Sequence, residues 1–170
     1  MKTLIDEAAL QARVKEVARD IRKDAGDDPI LLLGVLKGAF MFMADLMRQI
    51  GGDVTCDFIA VSSYVGTTSS GEVQIKKDVD SPLEGRTVII VEDIVDTGLT
   101  LQYLQGILQK RNPKSLRTAC LLSKPSRRKA EVPVDYIGFE IEDKFVVGYG
   151  LDFNERYRNL PYIGLVEGVS

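Results

Sequence analysis

The stretch from Thr87 to Thr100 constrains the fold of this chain more than any other. It opens with Thr87 to Val91, an apolar and β-branched run typical of a strand buried on both faces of a parallel sheet. Two adjacent carboxylates, Glu92 and Asp93, follow directly. Open α/β sheets bind their ligands beyond the carboxyl ends of the strands. We therefore expect a functional site where this strand ends.

A short loop and a helix follow the acidic pair. The loop contains Asp96 and Gly98, and either Thr97 or Thr100 can cap the helix. Apolar residues recur in that helix at helical spacing, at Leu101, Leu104, Ile107 and Leu108. Backbone N–H groups of residues 96–100 at a helix N-terminus form a cradle for a phosphate, and glycine allows close approach. The GxxxxGK[ST] pattern of a Walker A loop is absent from the sequence.

The acidic pair gives the candidate ligand a second part. Glu92 and Asp93 can accept hydrogen bonds from the two hydroxyls of a ribose, so the turn fits a ribose 5-phosphate. The alternative is an ordinary strand-to-helix turn with solvated acids, which two carboxylates alone would favour. The apolar strand before the pair and Asp-Thr-Gly-Leu-Thr after it favour the functional interpretation.

Composition restricts the class of protein. The chain has 170 residues, of which 45% are hydrophobic and 28% charged, which predicts one soluble domain with room for a core. A net charge of -3 argues against nonspecific nucleic-acid binding, and no apolar run predicts a membrane span or a signal peptide. Cys56 and Cys120 lie in strand-like runs and are expected to be buried thiols in a reducing cytoplasm. Without histidine, a proton acceptor must be a carboxylate, Lys, Tyr or Cys, and zinc is not expected.

The run VIIVEDIVDTGLT resembles the phosphoribosyl pyrophosphate (PRPP) signature of the type I phosphoribosyltransferases, most closely the hypoxanthine (guanine) branch. This resemblance implies an α/β fold: a mostly parallel twisted sheet flanked by helices, with a Rossmann-like core, a small hood and a mobile lid loop. It implies a single phosphoribosyltransferase domain over residues 1–170, with the lid at about 62–78 and the hood at about 143–170. In the signature, Glu92, Asp93 and residues 96–100 (Asp96, Thr97, Gly98, Leu99, Thr100) would hold the ribose and its 5′-phosphate. Leu99 departs from relatives that carry lysine there, which removes one possible phosphate charge.

Hydrophobic patterns predict the remaining elements. Helices are expected at residues 6–23 and 40–47, the second rich in Met and Phe and suited to the core or to a subunit interface. Strands are expected at 30–33, 54–61 and 115–122, with closing segments at 134–141 and 144–149 and a last short strand at 162–166. Val73 to Ile75 can pair as a hairpin at the base of the predicted lid.

Two loops gain a role only through the resemblance. Leu36-Lys37-Gly38 follows a strand and offers one positive charge beside backbone donors, a weak signal by itself. The resemblance makes Lys37 and Gly38 a pyrophosphate loop and predicts a cis bond between Leu36 and Lys37. Ser63-Tyr64 leads a polar stretch that composition alone describes as flexible, and the resemblance makes it the lid that excludes water.

The C-terminal part carries the second specific block, DKFVVGYGLD followed by NERYR. By resemblance, Phe145 stacks on a purine, the backbone of Val146 reads the base edge, and Asp152 lies at the purine and holds Mg²⁺. Arg158 matches the arginine that contacts pyrophosphate. Taken singly, these residues are most simply a core aromatic and surface charges.

A lysine at the end of a strand, Lys124, is by itself most simply a surface charge. By resemblance its ammonium donates to the exocyclic oxygen of a 6-oxopurine. An ammonium has nothing to accept from the amine of adenine, so this residue would reject adenine.

The implied reaction is purine salvage. The 5-phosphoribosyl group of PRPP moves to N9 of hypoxanthine or guanine, giving IMP or GMP and pyrophosphate. Asp96 is the candidate acceptor for the N7 proton, and Glu92, Asp93 and Asp152 are the candidate Mg²⁺ ligands. The partners are therefore PRPP, hypoxanthine, guanine, IMP, GMP and pyrophosphate, without nucleic acid or membrane. A homodimer and a homotetramer are both open.

Three alternatives remain. A PRPP-sensing regulator is disfavoured because the chain has no appended DNA-binding domain or basic stripe, and because Asp96 is a carboxylate where similar regulators have tyrosine. An adenine phosphoribosyltransferase is disfavoured by Lys124. A xanthine-preferring enzyme stays open, since groups around the 2-position of the base decide that choice.

Overall fold

The fold is that of a computed structural model, which describes residues 1–63 and 73–169. Three α-helices are present in these ranges: α1 (Glu7–Ala25), α2 (Phe40–Ile50) and α3 (Leu99–Gln109), besides a short 3₁₀ turn at Pro125–Arg127. The strands are β1 (Lys2–Ile5), β2 (Ile30–Leu36), β3 (Val54–Ser63), β4 (Val73–Lys77), β5 (Thr87–Val95), β6 (Ser115–Ser123), β7 (Tyr136–Glu140), β8 (Val146–Val147) and β9 (Ile163–Leu165).

The larger sheet has the strand order β4-β3-β2-β5-β6-β7. All neighbouring pairs are parallel except β3 and β4, which form the antiparallel hairpin predicted at the base of the lid. The smaller sheet, β1-β9-β8, is antiparallel. The prediction of an α/β fold with a mostly parallel sheet is confirmed. No helix in the described ranges combines the length and apolar character needed to cross a membrane.

Alternate residues of the central strands enter two different cores. Ile89 and Val91 pack with α1 and α2 on one face, whereas Val88 and Ile90 pack with α3 on the other. Because both faces are covered, the strand sequence is continuously apolar instead of alternating. β5 therefore lies in the middle of the larger sheet, between β2 and β6. Its acidic carboxyl end lies where the loops after these strands meet.

Several boundaries differ from prediction. β5 does not end at Val91 but continues through the acidic pair to Val95, because Glu92 pairs with Cys120 and Val95 with Ser123 in β6. Helix α1 starts at an N-cap aspartate, Asp6, whose Oδ1 accepts a hydrogen bond from the Ala9 N–H at 2.8 Å.

The prediction for the two cysteines is half wrong. Cys120 is buried in β6, and burial raises the pKa of its thiol to about 12. Cys56, in contrast, is exposed. It lies in the first half of β3, and β4 pairs only with residues 60–63 of that strand. The first half of β3 is thus an edge in the described structure, which leaves Thr55 and Cys56 accessible.

Candidate active site

Three parallel strands deliver the predicted site residues to one edge of the sheet. β2, β5 and β6 are adjacent and end at Leu36, Val95 and Ser123. The loops that follow them contain Lys37, Asp96 and Lys124 respectively. Residues far apart in sequence thereby converge because the carboxyl ends of parallel strands share one edge.

The acidic pair lies in a poorly solvated position. Glu92 is 7% exposed, and burial, followed by the nearby charges of Asp93 and Asp96, raises its pKa well above the usual value. Burial also raises the pKa of Asp93 to about 6, against a lowering effect of its hydrogen bond from the Ile94 N–H at 2.7 Å. The charge of Asp152 raises the pKa of Asp93 further, and that of Arg158 lowers it. A cluster of carboxylates held out of water fits a position where positive charge appears.

The loop after the acidic pair has the form of an anion cradle. Gly98 adopts φ +82°, and α3 begins at the next residue, Leu99. The predicted threonine cap is wrong: the N-cap residue is Gly98, which has no side chain, while the Thr97 hydroxyl accepts the Leu99 N–H at 3.3 Å and Thr100 lies inside the helix. The Asp96 carboxylate accepts the Thr97 N–H at 2.7 Å. The other N–H groups in the first turn of α3 have no partner within the helix and are available to a phosphate.

A support for this loop was missed by the sequence analysis. Arg128 donates from Nη1 to the carbonyl oxygens of Val95 and Asp96, at 3.0 Å and 2.9 Å, and from Nη2 to the Ser123 hydroxyl. The backbone N–H of Lys129 donates to the Thr97 carbonyl at 2.8 Å. The run Arg127-Arg128-Lys129 was the available signal, but the sequence does not distinguish which of its charges points inward.

The loop after β2 contacts both other parts of the site. The Leu36–Lys37 peptide bond is cis, as predicted. Gly38 lies so close to Asp93 that an added Cβ would overlap the carboxylate. Gly150, at φ +100°, packs in the same way against the Gly38 carbonyl oxygen. Two glycines thus let the three backbone segments touch.

Arg158 lies against this junction. Its Nη1 donates to the Gly150 carbonyl oxygen at 2.6 Å, and its Nη2 lies 3.5 Å from Asp152 Oδ1. The buried Nε has no hydrogen-bond partner among the described residues. Nη2 also contacts Glu155 at 3.2 Å, and Lys37 Nζ donates to the same carboxylate at 3.0 Å. The two cations predicted for pyrophosphate are therefore side by side.

A cleft of about 770 Å³ lies next to Asp96. Its lining includes Asp96, Lys124, Phe145 and Asp143, and its size suits a small-molecule ligand. The Lys124 side chain is 12% exposed, with Nζ 3.5 Å from Asp143 Oδ1. Phe145 is held by an edge-to-face contact with Phe153, with ring centroids 5.5 Å apart.

Two predicted purine contacts are not among the described residues that line the cleft. Val146 is buried in β8, and Asp152 is at the Arg158 junction, so neither belongs to the described lining of the cleft. Ser63 is the last residue of β3, and Tyr64 lies outside the described residues. The structure therefore brings together the acidic pair, the anion cradle, the two cations and the cleft.

Comparison with known proteins gives a consistent family. The protein-family model for the phosphoribosyl transferase domain matches residues 2–154 of this chain. The chain is 52% identical to the hypoxanthine-guanine phosphoribosyltransferase of Bacillus subtilis, covering 98% of this chain and 93% of that protein. It is 49% identical to the hypoxanthine phosphoribosyltransferase of Escherichia coli, covering 98% and 95%.

Solved structures agree with the sequence relatives. A hypoxanthine-guanine phosphoribosyltransferase from Bacillus anthracis superposes with a TM-score of 0.94 at 48% identity, covering 98% of both chains. The hypoxanthine phosphoribosyltransferase of Trypanosoma cruzi, solved in complex with the product IMP, gives a TM-score of 0.92 at 43% identity, covering 99% of this chain and 95% of that one. The chain belongs to the phosphoribosyltransferase family, in the group of hypoxanthine (guanine) phosphoribosyltransferases.

Proposed function

We propose that the chain transfers the 5-phosphoribosyl group of PRPP to N9 of hypoxanthine or guanine, forming IMP or GMP and pyrophosphate in purine salvage. The observation that carries this proposal is the position of Asp96. It belongs to the anion cradle before α3 and also lines the cleft that contains Lys124 and Phe145. One carboxylate is thus adjacent to both a phosphate site and a site for a flat base.

The ribose 5-phosphate part of PRPP would lie along the loop after β5. The free N–H groups at the start of α3 and the Thr97 and Thr100 hydroxyls donate to the 5′-phosphate. Glu92 and Asp93 accept from the ribose hydroxyls. Their carboxylates also stabilise the positive charge that develops on the ribosyl ring as the bond to pyrophosphate breaks.

The leaving group would lie at the junction of the β2 loop and the C-terminal block. Lys37 and Arg158 are adjacent there, and Gly38 provides backbone close to Asp93. Charge-assisted hydrogen bonds from both cations stabilise departing pyrophosphate. The Nε of Arg158, which has no hydrogen-bond partner in residues 1–63 and 73–169, offers one more donor.

The base would occupy the cleft. Phe145 stacks on the purine, Lys124 donates to its 6-oxo group, and the backbone near Val146 and Asp152 reads its remaining edge. Asp96 accepts or holds the N7 proton while N9 attacks the anomeric carbon. Water exclusion around this centre limits hydrolysis of PRPP.

Mg²⁺ is the proposed cofactor, and the donor set fits it. Within the described ranges no group of three acidic, His or Cys side chains is close enough to hold a metal unaided. Mg²⁺ usually takes one or two carboxylates together with substrate phosphates and water. Glu92, Asp93 and Asp152 would supply oxygen ligands, and burial raises the pKa values of the first two, so a bound cation would stabilise their charged forms. When bound, the ion would neutralise carboxylate and pyrophosphate charge.

The remaining assignments are predictions from the family. We propose one domain over residues 1–170, with a lid at about 62–78 whose central residues lie outside the described ranges, and with the smaller sheet and its flanking C-terminal segment as the hood. A homodimer or homotetramer in the cytoplasm is expected. Phe40, at the exposed start of α2, is a candidate contact between subunits.

An ultraviolet assay tests the proposal. The protein is given PRPP and Mg²⁺ with hypoxanthine, guanine, xanthine or adenine in parallel, with a chelator as the control. We expect fast turnover of hypoxanthine and guanine, little of adenine, and loss with the chelator. Absence of turnover with every base, together with tight binding of PRPP, would identify the chain as a PRPP sensor instead.

A further inference from the structure

Glu155 contacts the two cations of the proposed pyrophosphate site, although neither the sequence patterns nor the proposed reaction gives it a role. Its Oε2 accepts a hydrogen bond from Lys37 Nζ at 3.0 Å, and its Oε1 lies 3.2 Å from Arg158 Nη2. These are the two cations that the proposed function gives to pyrophosphate. One side chain therefore binds both, from a loop separated from Lys37 by most of the chain.

The loop directs Glu155 into this position. Its backbone adopts φ +66°, a left-handed conformation that is uncommon for a non-glycine residue. Its N–H donates to Asp152 Oδ2 at 2.9 Å, which anchors the residue from the other side. The hydrogen bonds from Lys37 and Arg158 lower the pKa of the Glu155 carboxyl, so the group is an anion at neutral pH.

We propose that Glu155 is an internal counter-anion of the pyrophosphate site: its carboxylate occupies Lys37 and Arg158 when the site is empty and competes with pyrophosphate for them. This inference rests on the proposed function. It deepens it by naming a residue that sets affinity. PRPP binding displaces the carboxylate, and the carboxylate returns as product pyrophosphate leaves.

The contact is suited to displacement. The side chains of Lys37 and Glu155 are 66% and 63% exposed, and ion pairs of this kind are weak. Because pyrophosphate carries more charge and more acceptor oxygens than one carboxylate, it displaces Glu155 from Lys37 and Arg158. The cost of displacing Glu155 lowers the apparent affinity of pyrophosphate by about two- to tenfold.

The test is a calorimetric titration of the full-length protein with pyrophosphate in the presence of Mg²⁺. Glu155→Gln keeps the size of the side chain and removes its charge. We expect about two- to tenfold tighter pyrophosphate binding and a lower KM for PRPP. Glu84→Gln is the control: it makes the same charge change in an exposed turn at the opposite end of the sheet. This variant should bind pyrophosphate with the affinity of the unaltered protein. Equal or weaker binding by Glu155→Gln would overturn the inference.

Two further variants keep the result specific. In a Lys37→Met background, Glu155→Gln should tighten binding less, because one of the two competing contacts is already gone. Glu155→Asp retains the charge on a shorter side chain and should give intermediate affinity. If Glu155→Gln does not fold, the Glu155→Asp variant becomes the test. An affinity for pyrophosphate equal to that of the unaltered protein would then overturn the inference. Turnover by the unaltered protein tests the proposed function separately.

Discussion

Removing the charge of Asp93 should stabilise the protein while inactivating it. Burial raises the pKa of this carboxyl from 3.8 to about 6, so the folded protein holds the proton more tightly than the unfolded chain does. The stability that this proton contributes is present below about pH 4 and is lost as the pH rises through about 6. The shift is roughly two pH units at about 1.4 kcal/mol each, so ionising Asp93 costs the folded state up to about 3 kcal/mol.

Asp93→Asn tests this magnitude, together with the relief of the nearby Glu92 carboxyl from the Asp93 charge. The amide oxygen can still accept the Ile94 N–H, which is 2.7 Å from Asp93 Oδ1, so the local hydrogen bond survives. We expect the free energy of unfolding at about pH 8 to rise by about 1–3 kcal/mol, and the difference to shrink toward zero at about pH 4. Turnover should fall, because the amide no longer opposes positive charge on the ribosyl ring.

Urea unfolding at several pH values is the assay. Asp20→Asn, on the exposed side of α1, is the matched control and should change stability by less than about 0.5 kcal/mol at every pH. A variant no more stable than the unaltered protein at about pH 8, or a gain that is the same at both ends of the pH range, would refute the reasoning. The expected pattern is the usual exchange of stability for function at an active site.

Four other substitutions probe separate parts of the site. Asp96→Asn should lower turnover about 100-fold or more in the ultraviolet assay while PRPP still binds, and unchanged turnover would remove Asp96 as the proton acceptor. Lys124→Met should lower kcat/KM for hypoxanthine by about 10- to 100-fold and leave adenine unaffected, since only the 6-oxo group loses a charged donor; an equal loss for both bases would contradict this. Arg128→Met should lower the free energy of unfolding by about 1–3 kcal/mol, because the Asp96 carbonyl and the Ser123 hydroxyl lose this donor while the Val95 carbonyl keeps only the Lys124 N–H, and a smaller change in urea unfolding would count against that support. Gly38→Ala should raise the KM for PRPP more than that for hypoxanthine, since the added methyl group overlaps Asp93; equal changes would argue against this placement.

Sequence patterns predicted the elements whose signal is local. β5 and α3 were recognisable because the apolar run and the helical spacing arise within a few residues of each other. β1 was missed because its four residues, Lys-Thr-Leu-Ile, carry no clear pattern and become a strand only by pairing with β9. The extension of β5 through Glu92 has the same origin, since β6 supplies its partner.

The parts of the site that sequence reasoning missed depend on where long side chains reach. Arg128 is one of several neighbouring cations, and only the fold directs its guanidinium to the Val95 and Asp96 carbonyls. Glu155 lay within a motif whose arginine was assigned, yet its contact with Lys37 joins two distant loops. The exposure of Cys56 likewise depends on how far β4 extends along β3. A family motif predicts the role of such residues only when that role is already known for the family.

The charges of the site are arranged by position along the proposed substrate. Each cationic end has its own carboxylate in the described structure: Asp143 for Lys124, and Glu155 for both Lys37 and Arg158. The acidic centre differs, since Glu92 forms no ion pair within the described ranges and its pKa is raised. Pyrophosphate at one end and the 6-oxo group of the base at the other can therefore take the places of these carboxylates beside the cations. The carboxylates at the centre would be shared between Mg²⁺ and the ribosyl ring, which becomes positive as its bond to pyrophosphate breaks, so the electrostatic benefit there grows as the reaction proceeds.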